Sequence, residues 1–259
     1  MNLPIYQVDA FASRLFGGNP AAVILLDSWL PDAVMQDIAL ENNLSETAFV
    51  IPREGVSELR WFSPAMEVDL CGHATLAAGH VLFNHRFPEK MKLEFNTRSG
   101  RLGIHRTGEM LSLDFPALPP SPAKVNGVKE ALGIPPCEIL ISNSLLAIFD
   151  TEQEIHSIQP DFDRIAALGA WMVIATAPGT DVDYVFRVFA PGAGIPEDPA
   201  TGSAQCTLVP YWAARLQKAA FRSRQLSKRV GEFQCELRGA RVSISGRAVE
   251  YLRGEIHAG

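Results

Sequence analysis

One short element occurs twice, and its spacing constrains what this chain can fold into. Asp69-Leu70-Cys71-Gly72-His73-Ala74-Thr75-Leu76-Ala77-Ala78 brings a strand-like segment to a Gly-polar-Ala turn, and a small, apolar helix follows. Glu197-Asp198-Pro199-Ala200-Thr201-Gly202-Ser203-Ala204 has the same design. Gly72 and Gly202 stand 130 residues apart in a chain of 259, the interval of two similar halves. Pro199 fixes its own φ and disfavours helix at Asp198, so a helix starts only after that residue. Thr201 and Ser203 are then placed to cap its first turn. A helix N-terminus with open N–H groups suits an anion, although an ordinary capped helix reads the same way from one copy alone.

The helix from Gly72 to about Asn84 is apolar or small on nearly every face, so it must be buried on every face. Strand-like segments surround it in sequence: 3–10, 21–27, 47–51, 58–63, 67–70, 91–97, 100–106 and 109–115. The natural place for such a helix is inside a curved sheet. Residues 32–43 read as an amphipathic helix. Four prolines between Pro116 and Pro122 mark a linker near the middle of the chain. This divides it into residues 1–117 and 118–259, with the final strand free to cross back to the first lobe. The second half has short helices at 127–133 and 161–168. Its strands fall at 137–143, 145–150, 171–177, 183–189, 220–227, 232–238, 241–246 and 248–253. A second largely apolar helix runs from about Thr201 to Lys218, with Pro210 inside it.

Composition excludes several classes. Net charge is −6 and no Lys/Arg-rich patch is visible, which argues against nucleic acid and anionic membranes. No basic leader and no long apolar run occur, so the expectation is a cytoplasmic protein. Cys71, Cys137, Cys206 and Cys235 are widely spaced without a CxxC pair, as suits reduced thiols and not a disulfide framework or zinc site. Phe16-Gly17-Gly18-Asn19-Pro20 is a tight turn that lacks either nucleotide-binding glycine spacing.

Among polar residues, Glu46 stands at the start of the apolar strand Thr47–Ile51, either at a rim or in a pocket. His73 lies in the first turn of the buried helix, where a satisfied core histidine is the plainer reading. A metal reading is poor, because no second His follows at i+4 and Glu67 and Asp69 lie on a strand of another direction.

Several motifs together resemble one family. They are Asp9-Ala10-Phe11, Gly18-Asn19-Pro20-Ala21-Ala22-Val23, Leu44-Ser45-Glu46-Thr47-Ala48-Phe49, Trp61-Phe62-Ser63-Pro64, Glu67 through Ala77, and Phe189-Ala190-Pro191 with Glu197 through Ala204. The chain is similar to the phenazine-biosynthesis-like (PhzF-like) isomerases, within the diaminopimelate-epimerase fold. That resemblance implies an α+β chain of two pseudo-symmetric lobes, each a mostly antiparallel β-barrel around a central buried helix, with the site between them. It implies Glu46 as the proton-transferring base and His73 and Asp198 as its catalytic partners. Gly72, His73, Gly202 and Ser203 would bind a small anionic, carboxylate-bearing substrate. It implies no metal and no organic cofactor, and it leaves room for a homodimer.

A carboxylate closed into an apolar cleft loses hydration, which suits it to take and return a proton. Epimerase relatives carry a catalytic cysteine where Cys71 stands and a second before the later Gly-Ser pair, where this chain has Thr201. A two-thiol racemase therefore lacks half its apparatus. That racemase using Cys71 is the first alternative, and a non-catalytic binding or regulatory protein on the same fold is the second. Val230-Gly231 is a further departure, since relatives often carry Gly-Gly there.

Overall fold

The computed structural model describes residues 1–258. The chain divides into two compact units, Met1–Asp114 with the segment from Ser245 onward, and Phe115–Ile244.

The first unit contains β1 (Asn2–Ala10), β2 (Asn19–Leu25), α1 (Asp32–Asn42), β3 (Glu46–Ile51), β4 (Val56–Phe62), β5 (Glu67–Val68), α2 (Gly72–His85), β6 (Lys92–Thr97), β7 (Gly100–Thr107) and β8 (Met110–Pro116). Strands joined by short connections pair antiparallel, as in β3–β4, β6–β7 and β7–β8. Among the described residues of this unit, β2–β3 and β4–β6 pair parallel. Parallel neighbours need a crossover. Here α1 spans the first pair and α2 the second.

Strand alternation sorts β3 onto two faces. Phe49 and Ile51 join Met35 and Ala39 of α1 in one core. Thr47 accepts a hydrogen bond from Asn42 Nδ2 on the same side, at 3.1 Å. Glu46, Ala48 and Val50 therefore face the other way. On that face α2 packs against β1, β2 and β3. Among its residues only His80, Asn84 and His85 escape burial. Gly79 permits the close approach, since a Cβ there would lie 2.4 Å from Ile104 Cδ1 of β7.

The second unit contains β9 (Ser121–Pro122), α3 (Val128–Leu132), β10 (Glu138–Ile141), β11 (Leu145–Ile148), α4 (Glu152–Ser157), α5 (Phe162–Ala167), β12 (Val173–Pro178), β13 (Tyr184–Phe189), α6 (Gln205–Leu216), β14 (Ala220–Gln225), β15 (Gly231–Arg238) and β16 (Arg241–Gly246). Its parallel pairs are β11–β12, spanned by α4 and α5, and β13–β14, spanned by α6. The order of crossovers repeats that of the first unit. β17 (Ala248–His257) belongs to the first unit and runs antiparallel to β1 from Asn2↔His257 to Ala10↔Ala248.

Three details depart from the sequence reading. The segment from Thr201 does not begin as an α-helix: Gly202–Ala204 form a 3-10 turn, and α6 starts at Gln205. Neither Thr201 nor Ser203 caps it, because the Thr201 hydroxyl donates instead to the Asp198 carboxylate and Ser203 is exposed. α4 has no counterpart in the periodicity, since only Ile155 is buried on it. Its signature is a capping box, in which Glu154 N donates to Thr151 Oγ1 and Thr151 N to Glu154 Oε2.

Candidate active site

Each unit places a polar cluster at the start of its central helix. In the first unit the residue preceding α2 is Cys71, extended at φ −141° and ψ 113°, with no side-chain cap hydrogen bond. His73 lies in the first turn, and its Nε2 is 3.0 Å from Glu46 Oε2 at the start of β3. Both residues are about nine-tenths buried. Neither atom has an aligned hydrogen-bond partner. The pair is thus in ion-pair range without an aligned hydrogen bond. Trp61 Nε1 is a third buried atom without a partner, on the residue of β4 that stands opposite Ala48.

The other ring nitrogen of His73 faces different groups. Nδ1 is 3.3 Å from Asn19 Nδ2 and 3.5 Å from Cys71 Sγ. Asn19 opens β2, and the sequence gives it a place in a motif but no role at the site. Its Asn-Pro setting reads as a turn, which hides a side chain aimed at the helix. The loop before it is fixed by buried Asp9, whose carboxylate accepts from Phe16 N at 2.8 Å. Gly18 has φ +54°, and a Cβ on it would lie 2.0 Å from Ala10 O, so no side chain fits there.

Burial, then the Glu46 charge, push the Cys71 thiol up to about 11. Burial works against the His73 imidazolium, but the Cys71 sulfur and the Glu46 carboxylate outweigh it and hold its pKa well above the ordinary value. At neutral pH Cys71 is a thiol, not a thiolate, so the Glu46 carboxylate is the anion that favours the His73 imidazolium. Glu46, Cys71 and His73 present three ligand atoms within 4.8 Å of one another. Glu46 and Cys71 address opposite nitrogens of the ring, however, so no single His73 lone pair serves a metal shared by all three as they stand.

In the second unit hydrogen bonds hold the turn before α6. Asp198 N donates to Val188 O at 3.0 Å and Thr201 N to Gln225 Oε1 at 2.7 Å. Gln225 Nε2 donates to Asp198 O at 2.5 Å, and Ser227 Oγ to Pro199 O at 2.6 Å. Asp198, Thr201 and Gly202 are buried, and Ser203 is exposed beside them. Gln225 was also missed from sequence. It follows Phe221 and Ser223 on the buried face of β14 and is itself wholly buried. Gly231 packs against the same turn, where a Cβ would come within 2.6 Å of Ala200 Cβ.

The comparisons with known proteins agree with this architecture. Residues 8–254 match the family described as phenazine biosynthesis-like protein. An uncharacterized isomerase of Pseudomonas aeruginosa is 51% identical over 259 residues, covering 99% of both chains. The crystal structure of a PhzF-family protein of Enterococcus faecalis superposes with a TM-score of 0.97 at 44% identity, covering 99% of this chain and all of that one. A hydroxyproline epimerase of Agrobacterium vitis shares the fold alone, with a TM-score of 0.64 at 11% identity over 98% of this chain and 92% of that one. The chain belongs to the phenazine biosynthesis-like (PhzF-like) family and is an isomerase on the epimerase fold. Among the described residues no helix is long and apolar enough to cross a membrane.

Proposed function

We propose that this isomerase moves a proton on a small carboxylate-bearing metabolite, using only groups of its own chain, with Glu46 as general base. The observation that carries the reading is the buried Glu46–His73 pair, 3.0 Å apart with both facing atoms lacking hydrogen-bond partners. A pair built only for stability would be aligned. Glu46 takes the proton from the substrate carbon. The negative charge left behind is favoured by the N-terminal end of α2 and by the His73 imidazolium. His73, or Asp198, then delivers a proton to the carbon that receives it. Gly72, Gly202 and Ser203 offer backbone and hydroxyl donors to the carboxylate. That one substrate draws on both helix starts rests on the family resemblance.

The thiol racemase is the weaker reading. A thiol held up to about 11 is almost wholly protonated at neutral pH, and the Thr201 hydroxyl is already committed to Asp198.

The test is deuterium uptake at carbon, followed by NMR, with cyclic and unsaturated carboxylates in deuterated water. For any compound that the wild type exchanges, Glu46→Gln is expected to lower the rate by about two to four orders of magnitude. Cys71→Ala keeps most of the rate. Exchange lost in Cys71→Ala and retained in Glu46→Gln would overturn the glutamate mechanism.

A further inference from the structure

The two units share a second duplicated device, built on Arg60 and Arg187. In the first unit Arg60 of β4 grips Glu67, with Nε donating to Oε1 at 2.7 Å and Nη2 to Oε2 at 2.8 Å. Its Nη1 donates to Asp32 of α1 at 2.9 Å, and its guanidinium carbon lies 5.2 Å over the Phe62 ring. In the second unit Arg187 of β13 grips Glu197 through the same atoms, at 2.7 and 2.9 Å. Its Nη1 donates to the carbonyls of Ile155 and Ile158 at the end of α4, at 3.3 and 2.9 Å, and its carbon lies 5.0 Å over Phe189. Each arginine stands two residues before its aromatic partner. Each glutamate stands five residues before a glycine, Gly72 at the start of α2 or Gly202 at the start of the 3-10 turn before α6.

These are not exposed surface pairs. The side chains of Arg60 and Glu67 are 19% and 14% exposed, and those of Arg187 and Glu197 are 12% and 24%. A two-pronged guanidinium–carboxylate contact fixes orientation as well as distance, which a lysine ammonium does not. Its location matters more than its strength. Glu197 directly precedes Asp198. Glu67 is an anchor of a segment whose neighbours Met66 and Leu70 are exposed. Both pairs stand at the same offset from the turn that precedes the central helix of their unit, so each is placed to hold that turn.

We infer that Arg60 and Arg187 are positioning residues of the isomerase site, each acting through its glutamate to fix the strand-to-helix turn that carries the reacting groups. The inference rests on the proposed function for what those turns do, but its test needs no substrate. Native-state amide exchange is measured on the full-length chain as wild type, Arg187→Lys and Glu197→Gln. Arg187→Lys keeps the charge and loses the fork. It is expected to speed exchange of the Asp198 and Thr201 amides at least about tenfold, while amides of β12 keep their protection. Glu197→Gln gives the same local pattern and serves alone if Arg187→Lys does not fold. In the first unit, Arg60→Lys is expected to shift the imidazole ¹⁵N resonances of His73, which Arg60 does not touch. Unchanged exchange at Asp198 and Thr201, or an equal rise throughout the second unit, overturns the inference and leaves the pairs as plain braces. Because no turnover is read, failure of Glu46 as base leaves this outcome unaffected.

Discussion

Gly231→Ala probes the turn that carries Asp198 without removing any functional group. An ideal Cβ at 231 lies 2.6 Å from Ala200 Cβ and 3.0 Å from Phe233 Cε2. Carbon atoms pack at about 3.5–4.0 Å, so the contact with Ala200 must open by about 1 Å. Neither neighbour yields easily. Ala200 is fully buried, and its methyl cannot rotate away. The residues around it are bonded to Gln225, Val188 and Ser227. Phe233 is 3% exposed and packs on Phe186 with centroids 5.6 Å apart. Overpacking of this kind costs about 1–3 kcal/mol. The lower chain entropy of alanine in the unfolded state returns about 0.4–1 kcal/mol. The net loss is about 1–2 kcal/mol, or about 2–8 °C in Tm for a chain of this size. Ala200→Gly removes the opposing methyl, so the double variant is less damaged than the sum of the singles. Urea denaturation of all four proteins closes the cycle, with an expected coupling of about 1–2 kcal/mol. Additivity within about 0.5 kcal/mol would falsify the close contact and the rigidity assigned to the turn.

Two further outcomes follow from single residues. Val230 adopts φ +59°, a left-handed conformation that a β-branched residue tolerates poorly. Val230→Gly is therefore expected to be more stable than Val230→Ala by about 1 kcal/mol in thermal melts, because both lose the side chain but only glycine relieves the strain; equal stability refutes this. His73, with its pKa held above the ordinary value, stays protonated above pH 7 in ¹⁵N NMR titration, and Glu46→Gln moves its titration to lower pH. Since the folded-state value is the raised one, the stability this pair contributes is full below pH about 6.5 and is lost as pH rises through the elevated value. A His73 titration unmoved in Glu46→Gln would show that the carboxylate does not act on the imidazole.

What the sequence determined by itself was whatever depends on local pattern. The helix at 72–84, apolar or small on nearly every face, had to be buried, the recurrence of its opening turn at 202 pointed to two similar units, and strand alternation marked most of β1 to β17. The motifs around Glu46, His73 and Asp198 carried the family. Tertiary structure decided what depends on direction and neighbours. Glu46 reads in sequence as a carboxylate either at a rim or in a pocket, and only the packing of α2 against β3 brings it to His73. Asn19 and Gln225 reveal nothing in their own segments, because their partners lie 54 and 24 residues away. Thr201 reads as a cap, but a nearby carboxylate competes for its hydroxyl and wins. The parallel pairing of β4 with β6 and of β13 with β14 cannot be read from period-two alternation, which is the same for either strand direction. That pairing makes α2 and α6 the crossovers, and so sets a Gly-polar-Ala turn at the mouth of each.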